Sequence, residues 1–386
     1  MSNDIALFDF ISHETMHLPF NEEYVRVLRA AFPDDCILFH ARAGHIANLA
    51  PRIADLAGVE FRPCAPFTVP FGLSAHNPLG GRLGAMACRR TVSTALRGLK
   101  PKLVSLLGAD ANLYAGIGRG WPKGGPPLHM ILHGQLGDAM IWRSRNPLNR
   151  AFDLVSQVRH KLPASVRLVA LELGVAEAIA EIAPANRSVV TLEHPVLSSE
   201  WMEETALSVD GLLRVGFLGN ARRSKGFETF VNVARAARRN DLAFESIGIA
   251  APDTDHLDIG VLARKPTRIS MAREEYLTAL AAIDLVCLPL HGRAYDFTAS
   301  GTVADAVAAL KPLVAFRSRT LDAIVAKYGP IGWLVESEDE LIRSISALDR
   351  REFAEKRPAW VANLRKMRAA RRPEALAAEY AQLVGR

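Results

Sequence analysis

Short apolar runs bounded by turn residues alternate along this chain with longer segments of helical spacing, and the pattern occurs in two successive sets. An alternation of this kind is that of parallel strands covered by helices on both faces, an α/β architecture. In the first half the apolar runs lie at 5–10, 36–41, 103–108, 129–134, 167–172 and 188–196. In the second half they lie at 213–219, 244–250, a weaker 268–271, 284–290, 312–316 and 332–335. Each set is large enough for its own doubly wound, Rossmann-like sheet, and 386 residues exceed what one core usually organises. The expected division is a first domain over 1–200, a second over 211–350, and basic helices over 351–386 whose last member packs back on the first domain. The join falls in the polar stretch 194–214.

Composition removes several classes. Hydrophobic residues make up 49% and charged residues 23%, which is the balance of a folded globular chain and not a disordered one. Cys36, Cys64, Cys88 and Cys287 are scattered without a CxxC pair, against a zinc site or a disulfide framework and in keeping with a reducing cytoplasm. The start, "MSNDIALFDFISHE", has no basic region followed by an apolar one, and no run of about 18 apolar residues occurs. The expected location is cytoplasmic, or peripheral on the inner membrane face. A net charge of +6 favours anionic partners: nucleotide phosphates, an anionic lipid surface or nucleic acid. Nucleic acid ranks last, because the basic residues are not interleaved with aromatics.

Open parallel sheets bind ligands beyond the carboxyl ends of their strands, and two such sheets facing each other make a central cleft. Two loops in the second half stand out. In "VGFLGNARRSKGFETFVNVARAA" a strand ends at Gly219, a polar loop carries Arg222, Arg223 and Lys225, and Gly226 opens an amphipathic helix. Cations beside a helix N-terminus suit a diphosphate, although a solvated basic turn would read the same way. In "YDFTASGTVADAVAALKPLVAF" the run Thr298, Ser300, Gly301, Thr302 offers hydroxyls and amides at a helix start, with Asp305 placed to accept from sugar hydroxyls. The alternative there is a helix simply capped by Ser300 or Thr298.

Together these stretches resemble glycosyltransferases of the GT-B fold, most nearly family 4, in which a "G-R-x-x-x-x-K-G" segment opens the second domain. An "E-x7-E" segment leading into "A-x-A-x-G-x-P-V-V-A" follows. Lys225-Gly226 matches the first, and "DAVAALKPLVAF" matches the end of the second with Asp305 for the last Glu. The family arginine falls on Asn220, so Arg222 or Arg223 would replace it, and the first Glu falls on Phe297 with Asp296 one place away. The likeness covers residues 213 to about 345; over the first domain only the architecture matches.

The resemblance implies transfer of a sugar from a nucleotide-sugar donor to a glycan or lipid-linked hydroxyl, with retention. It requires no cofactor and no metal, since Lys225 with Arg222 or Arg223 would stabilise the departing diphosphate. The "DTD" at 253–255 comes nearest to a metal-binding Asp-x-Asp but reads as a surface loop. Donor-binding candidates are Gly219, Arg222, Arg223, Lys225, Gly226, Thr298, Ser300, Gly301, Thr302 and Asp305. Catalytic candidates are Lys225, Asp296 and, in loops of the first domain, His13, Glu14 and His133, with His45 and Asp138 facing the same cleft. A basic amphipathic helix over 81–104, with Arg82, Arg89, Arg90, Arg97, Lys100 and Lys102 among Leu83, Met86, Val92 and Leu96, suits either an anionic membrane or an ordinary surface. A nucleotide-sugar epimerase of the same fold and a non-catalytic nucleotide-sugar binder are the rival readings.

Overall fold

The computed structural model describes residues 4–65, 77–141, 143–186, 188–207, 211–290 and 292–383, with the side chains of Arg293 and Ala294 excepted. Ser208, Val209 and Asp210 of the expected join lie outside them. The chain divides into two units. The first comprises residues 1–195, 296–299 and 371–386, and the second residues 196–295 and 300–370.

The first unit is built on a parallel sheet of β1 (Asp4–Asp9), β2 (Cys36–Ala41), β3 (Val59–Pro63), β4 (Leu103–Leu106), β5 (Leu128–Leu132), β6 (Val166–Ala170) and β7 (Val189–Thr191). Its order is β3-β2-β1-β4-β5-β6-β7. Period-2 alternation fills both faces: Ala6 and Phe8 enter one core, Ile5 and Leu7 the other. The strand β3 escapes sequence reading because "VEFRP" holds few apolar residues, as befits a partly exposed edge strand ending in proline.

The second unit carries β8 (Leu213–Leu218), β9 (Leu242–Ile247), β10 (Leu285–Leu288), β11 (Leu313–Phe316) and β12 (Gly332–Val335) in the order β12-β11-β10-β8-β9. Val215 and Phe217 pack on one face of this sheet, Val286 and Leu288 on the other. The expected strand at 268–271 does not form: Ile269 is 80% exposed, and only isolated bridges at Arg264 and Thr267 join this region to the chain around β9. In both units the strand order reverses beside the first strand, at β1/β4 and at β8/β10. Those are the switch points where the loops diverge and leave a crevice.

The 21-residue helix Arg350–Ala370 belongs to the second unit, and a new helix, Pro373–Leu383, to the first. Proline at 373 cannot continue the preceding helix but suits a first turn. The second helix packs on the helix Leu18–Ala31, where Tyr380 joins a buried chain of hydrogen bonds with Tyr24, at 3.1 Å, and His129, at 2.8 Å. Just ahead of it Arg371, 1% exposed, donates to both carboxylate oxygens of Glu172 at 2.6 and 2.9 Å, and lies 3.6 Å from Glu193. A charge so buried is tolerable only when paired, and removing one partner strands the other. Arg371→Met should therefore destabilise the first unit by about 3–5 kcal/mol, and Glu172→Gln in the same chain should restore most of that loss. Urea unfolding followed by a probe in the first unit measures both.

Candidate functional site

At the switch point of the second unit β8 ends at Gly219, whose φ of +85° lies in the left-handed region. A Cβ on Gly248 would fall 1.9 Å from the Gly219 carbonyl oxygen, so the two backbones touch. The chain then runs through Ala221, bridged to Ala250, and a 3-10 turn, Arg223–Lys225, to Gly226 at φ +74°. A Cβ on Gly226 would sit 1.8 Å from the carbonyl oxygen of Pro289, just past β10. The loop is thus pressed onto the ends of β8 and β10, and the Tyr295 hydroxyl ties it further by donating to the Ser224 carbonyl at 3.1 Å.

The consequence is convergence. The point where a Gly219 Cβ would stand lies 3.7 Å from Lys225 Nζ and 3.9 Å from Thr302 Oγ1. Thr302 is in the first turn of the helix Gly301–Ala308, whose N-cap residue, Ser300, makes no side-chain capping bond. Gly301 opens onto space, with no atom of the described residues within 4 Å of a methyl group added there. Ser300 therefore does not cap this helix through its side chain. An ammonium, a hydroxyl and a helix N-terminus whose N-cap side chain makes no capping bond lie around one glycine, a combination that favours an anion.

The other expected donor residues divide. Arg222 is half-buried at the start of the turn. Arg223 is turned to the surface, its guanidinium 3.2 Å from Glu228 and 70% exposed, while its amide donates to Asp253 of the "DTD" loop at 3.2 Å. Asn220, at the family arginine's position, has its Oδ1 buried without a hydrogen bond among the described residues. Asp305 is already tied down: Arg273 donates to Oδ1 at 2.9 Å and the Tyr276 hydroxyl to Oδ2 at 2.8 Å. Burial and then the Asp305 carboxylate push the Tyr276 hydroxyl well above its usual range, so it stays protonated. Arg273 also forks onto Glu200, at 3.0 Å from Nε to each oxygen. Any ligand hydroxyl must share Asp305 with these partners.

Thr298, grouped in the sequence with Ser300–Thr302, falls on the other side of the division between the units. It belongs to the first unit, where a Cβ on Gly134 would meet its methyl at 3.4 Å. Its neighbour Phe297, at the family glutamate's position, is 1% exposed in the first unit's core, and Asp296 is half-buried beside it.

At the first unit's own switch point Asp9, 1% exposed, organises the loop after β1: it accepts from the amides of Ile11 at 3.0 Å and Ser12 at 2.8 Å, and from Asn21 Nδ2 at 2.6 Å. Glu14 and His17 are held at φ 45° and 54°, a strained left-handed conformation for side chains of this size. His13, Glu14 and Asp138 are exposed. His45, expected to face the cleft, is 0% exposed, accepts from Asn21 Nδ2 at 2.8 Å and donates from Nδ1 to the Glu14 carbonyl at 2.8 Å. Its task is to hold this loop.

His133, after β5, sits in a cluster that sequence reading missed. Its ring centroid lies 4.5 Å from that of His17, 5.2 Å from that of His194, and 4.4 Å from the Phe20 ring, edge to face. His194 donates from Nδ1 to the Pro195 carbonyl at 2.7 Å, leaving Nε2 an acceptor. That atom and His133 Nδ1 are buried without hydrogen-bond partners among the described residues. Burial, then neighbouring charge, holds His133 well below 6.5, and burial brings His194 down to about 4. Both rings are neutral at physiological pH. Their low basicity suits hydrogen bonding to a neutral hydroxyl better than capture of its proton. The signal available in the sequence was positional: each histidine ends or follows a strand run.

The chain matches no protein-family profile and no curated protein. Solved structures do match over nearly its whole length. HepE of Anabaena, determined with UDP and glucose, superposes with a TM-score of 0.63 at 16% identity, covering 98% of each chain. WaaG, a glycosyltransferase involved in lipopolysaccharide biosynthesis, gives 0.61 at 13% identity over 99% of each. A trehalose-6-phosphate protein from E. coli bound with UDP-2-fluoro glucose gives 0.67 at 9% identity over 99% of each. The fold is GT-B, with two Rossmann-like domains.

Neutral buried histidines carry a pH signature. An unfolded histidine titrates near 6.5, so between that pH and the depressed folded value the unfolded chain binds more protons. The stabilisation is fully present above about 6.5 and is lost as pH falls toward 4, by up to about 1.4 kcal/mol per pH unit for each group. The urea midpoint of the first unit should fall from pH 7 to pH 5, and His133→Asn with His194→Asn should flatten that slope.

Proposed function

We propose that the protein is a glycosyltransferase that moves a hexosyl group from a nucleoside-diphosphate sugar to a hydroxyl of a glycan or lipid-linked acceptor. The observation that carries this is the approach of Lys225 Nζ and Thr302 Oγ1 to Gly219 at the β8/β10 switch point of a GT-B second unit. As the bond to the anomeric carbon breaks, negative charge grows on the departing diphosphate. Lys225 and the amides opening the helix at Gly301 stabilise that charge more than the ground state, which lowers the barrier. In this reading they supply the positive charge, and no metal takes part. Thr302 orients a phosphate oxygen, and Asp305, fixed by Arg273 and Tyr276, offers a remaining lone pair to the nucleoside's hydroxyls.

The acceptor side is assigned to the first unit. Its neutral histidines present buried ring nitrogens of the kind that orient sugar hydroxyls, the His194 Nε2 acceptor and the unpartnered His133 Nδ1, with the exposed Glu14 and His13 nearby in sequence to His17 and with Asp296 beside Phe297. Retention at the anomeric carbon is proposed on the resemblance of the Lys225 and Asp305 segments to family 4.

UDP and UDP-glucose are the first ligands to try, since HepE has been determined with both. A ligand bound only by the folded state raises its stability, by about 2.7 kcal/mol at a hundredfold excess over Kd. The expected result is a selective rise in Tm for one nucleotide without added metal. Lys225→Ala should lower kcat/KM by about 100-fold or more, the scale of losing a charge-stabilising donor, and Thr302→Ala by about tenfold. Arg223→Ala should leave both quantities within about twofold, because that side chain faces Glu228. An epimerised donor formed without acceptor would favour the epimerase, and nucleotide binding without turnover the non-catalytic binder.

A further inference from the structure

The basic helix expected at 81–104 is shorter in the structure and differently faced. It spans Pro78–Ala95, so Arg97, Lys100 and Lys102 fall beyond it, and Lys102 is paired with Asp35 at 2.6 Å. Cys88 and Val92 are in the core, and Leu96, past the helix end, packs against it: the apolar stripe read from the sequence is mostly the inward one. Met86, assigned to that stripe, points out instead.

What remains on the outer face is Leu79, Arg82, Met86, Arg89 and Arg90, at a spacing that places Leu79, Arg82, Met86 and Arg89 or Arg90 along one side. Leu79 is 59% exposed and Met86 67%, although the helix has a core side available for apolar residues. Arg82 stands over the Phe152 ring at 5.7 Å, and Leu148, on the turn leading to Phe152, is 67% exposed. Between Arg82 and Arg119 lies an open depression of about 710 Å³, also lined by Met86, Phe152 and His160.

The chain segment that carries this face is basic: residues 61–152 hold twelve Lys and Arg against two Asp, and of these Arg62, Lys102 and Arg143 are paired with Glu60, Asp35 and Asp153, while Arg82, Arg89 and Arg90 stand exposed on the helix. A purely solvating face would carry charge without exposed Leu and Met, and a nucleic-acid face would not interleave large aliphatic side chains with its arginines. Cations alternating with exposed apolar side chains match an anionic bilayer surface, where phosphates meet the first methylenes of the lipid chains.

We infer that the outer face of Pro78–Ala95, with the Arg82–Arg119 depression, docks the first unit on an anionic lipid surface. The docking does not depend on the glycosyltransferase reading, and its test needs no turnover. The full-length protein is sedimented with phosphatidylcholine vesicles with or without about one third phosphatidylglycerol. Strong partitioning to the anionic vesicles alone, weakening with salt, is expected. Arg82→Gln with Arg89→Gln should lower the partition coefficient at least tenfold, since each basic residue near the surface contributes about a fivefold factor. Leu79→Ser with Met86→Ser should lower it severalfold while leaving the salt dependence in place. Both variants should keep the wild-type Tm, which separates lost docking from lost folding.

Equal binding to neutral vesicles, no binding to either, or variants that partition like wild type would overturn the inference. So would a DNA duplex that the same arginine variant fails to bind while wild-type protein ignores vesicles. Inorganic phosphate at millimolar concentration should not compete the protein off the vesicles; if it does, the depression is a site for the free anion and the docking surface fails.

Discussion

The second unit depends on backbone-to-backbone contact at one switch point. Gly226 lies against the Pro289 carbonyl and Gly248 against that of Gly219, each so closely that a single methyl group would be excluded. Only because these contacts are made through glycine does the loop from Gly219 to Gly226 stay low enough for Lys225 to reach back over Gly219. The same closeness keeps the helix Phe227–Ala236 seated on the sheet through Phe227, Phe230 and Val231. Packing and the placement of Lys225 are therefore one requirement at this point, and a side chain added at either glycine would remove both.

The parts legible in the sequence were those written in contiguous residues. A strand ending in glycine, a cationic loop and a second glycine before an amphipathic helix sit within a dozen positions, so Gly219, Lys225 and Gly226 could be read as one element. Thr302 followed from helix-start chemistry. Asp305 was found, but its partners Arg273 and Tyr276 lie 32 and 29 residues away, and no local pattern announces such a pairing. Nothing in the sequence shows that four residues, Asp296–Ala299, Thr298 among them, belong with the first unit, anchored by the burial of Phe297. The amphipathic helix was read with Met86 on the wrong side, since periodicity gives a stripe without saying which stripe meets the core.

His17, His133 and His194 show the same limit from another direction. They come from the loop after β1, the end of β5 and the residue before Pro195, and only the strand order β1-β4-β5-β6-β7 gathers such loops at one end of the sheet. Topology is a non-local property, so a cluster made by it stays invisible in any window of sequence. What could be read was that histidines occupy strand ends, where open sheets leave room for a ligand.

The two units meet opposite electrostatic demands with different residue types. In the proposed transfer a departing diphosphate calls for fixed positive charge, and the second unit would answer with the Lys225 ammonium and the helix start at Gly301, whose partial charges need no proton to act. An acceptor hydroxyl in that proposal calls for a neutral partner, and the first unit would answer with imidazoles that burial keeps from protonating. A lysine in place of His133 would bring a permanent charge among the buried rings of His17, Phe20 and His194, at a desolvation cost that those rings do not offset. A histidine in place of Lys225 would be neutral at the pH where the diphosphate is fully ionised. The assignment of residue types to the two sites thus follows from the charge that each must meet, independently of which sugar or base is carried.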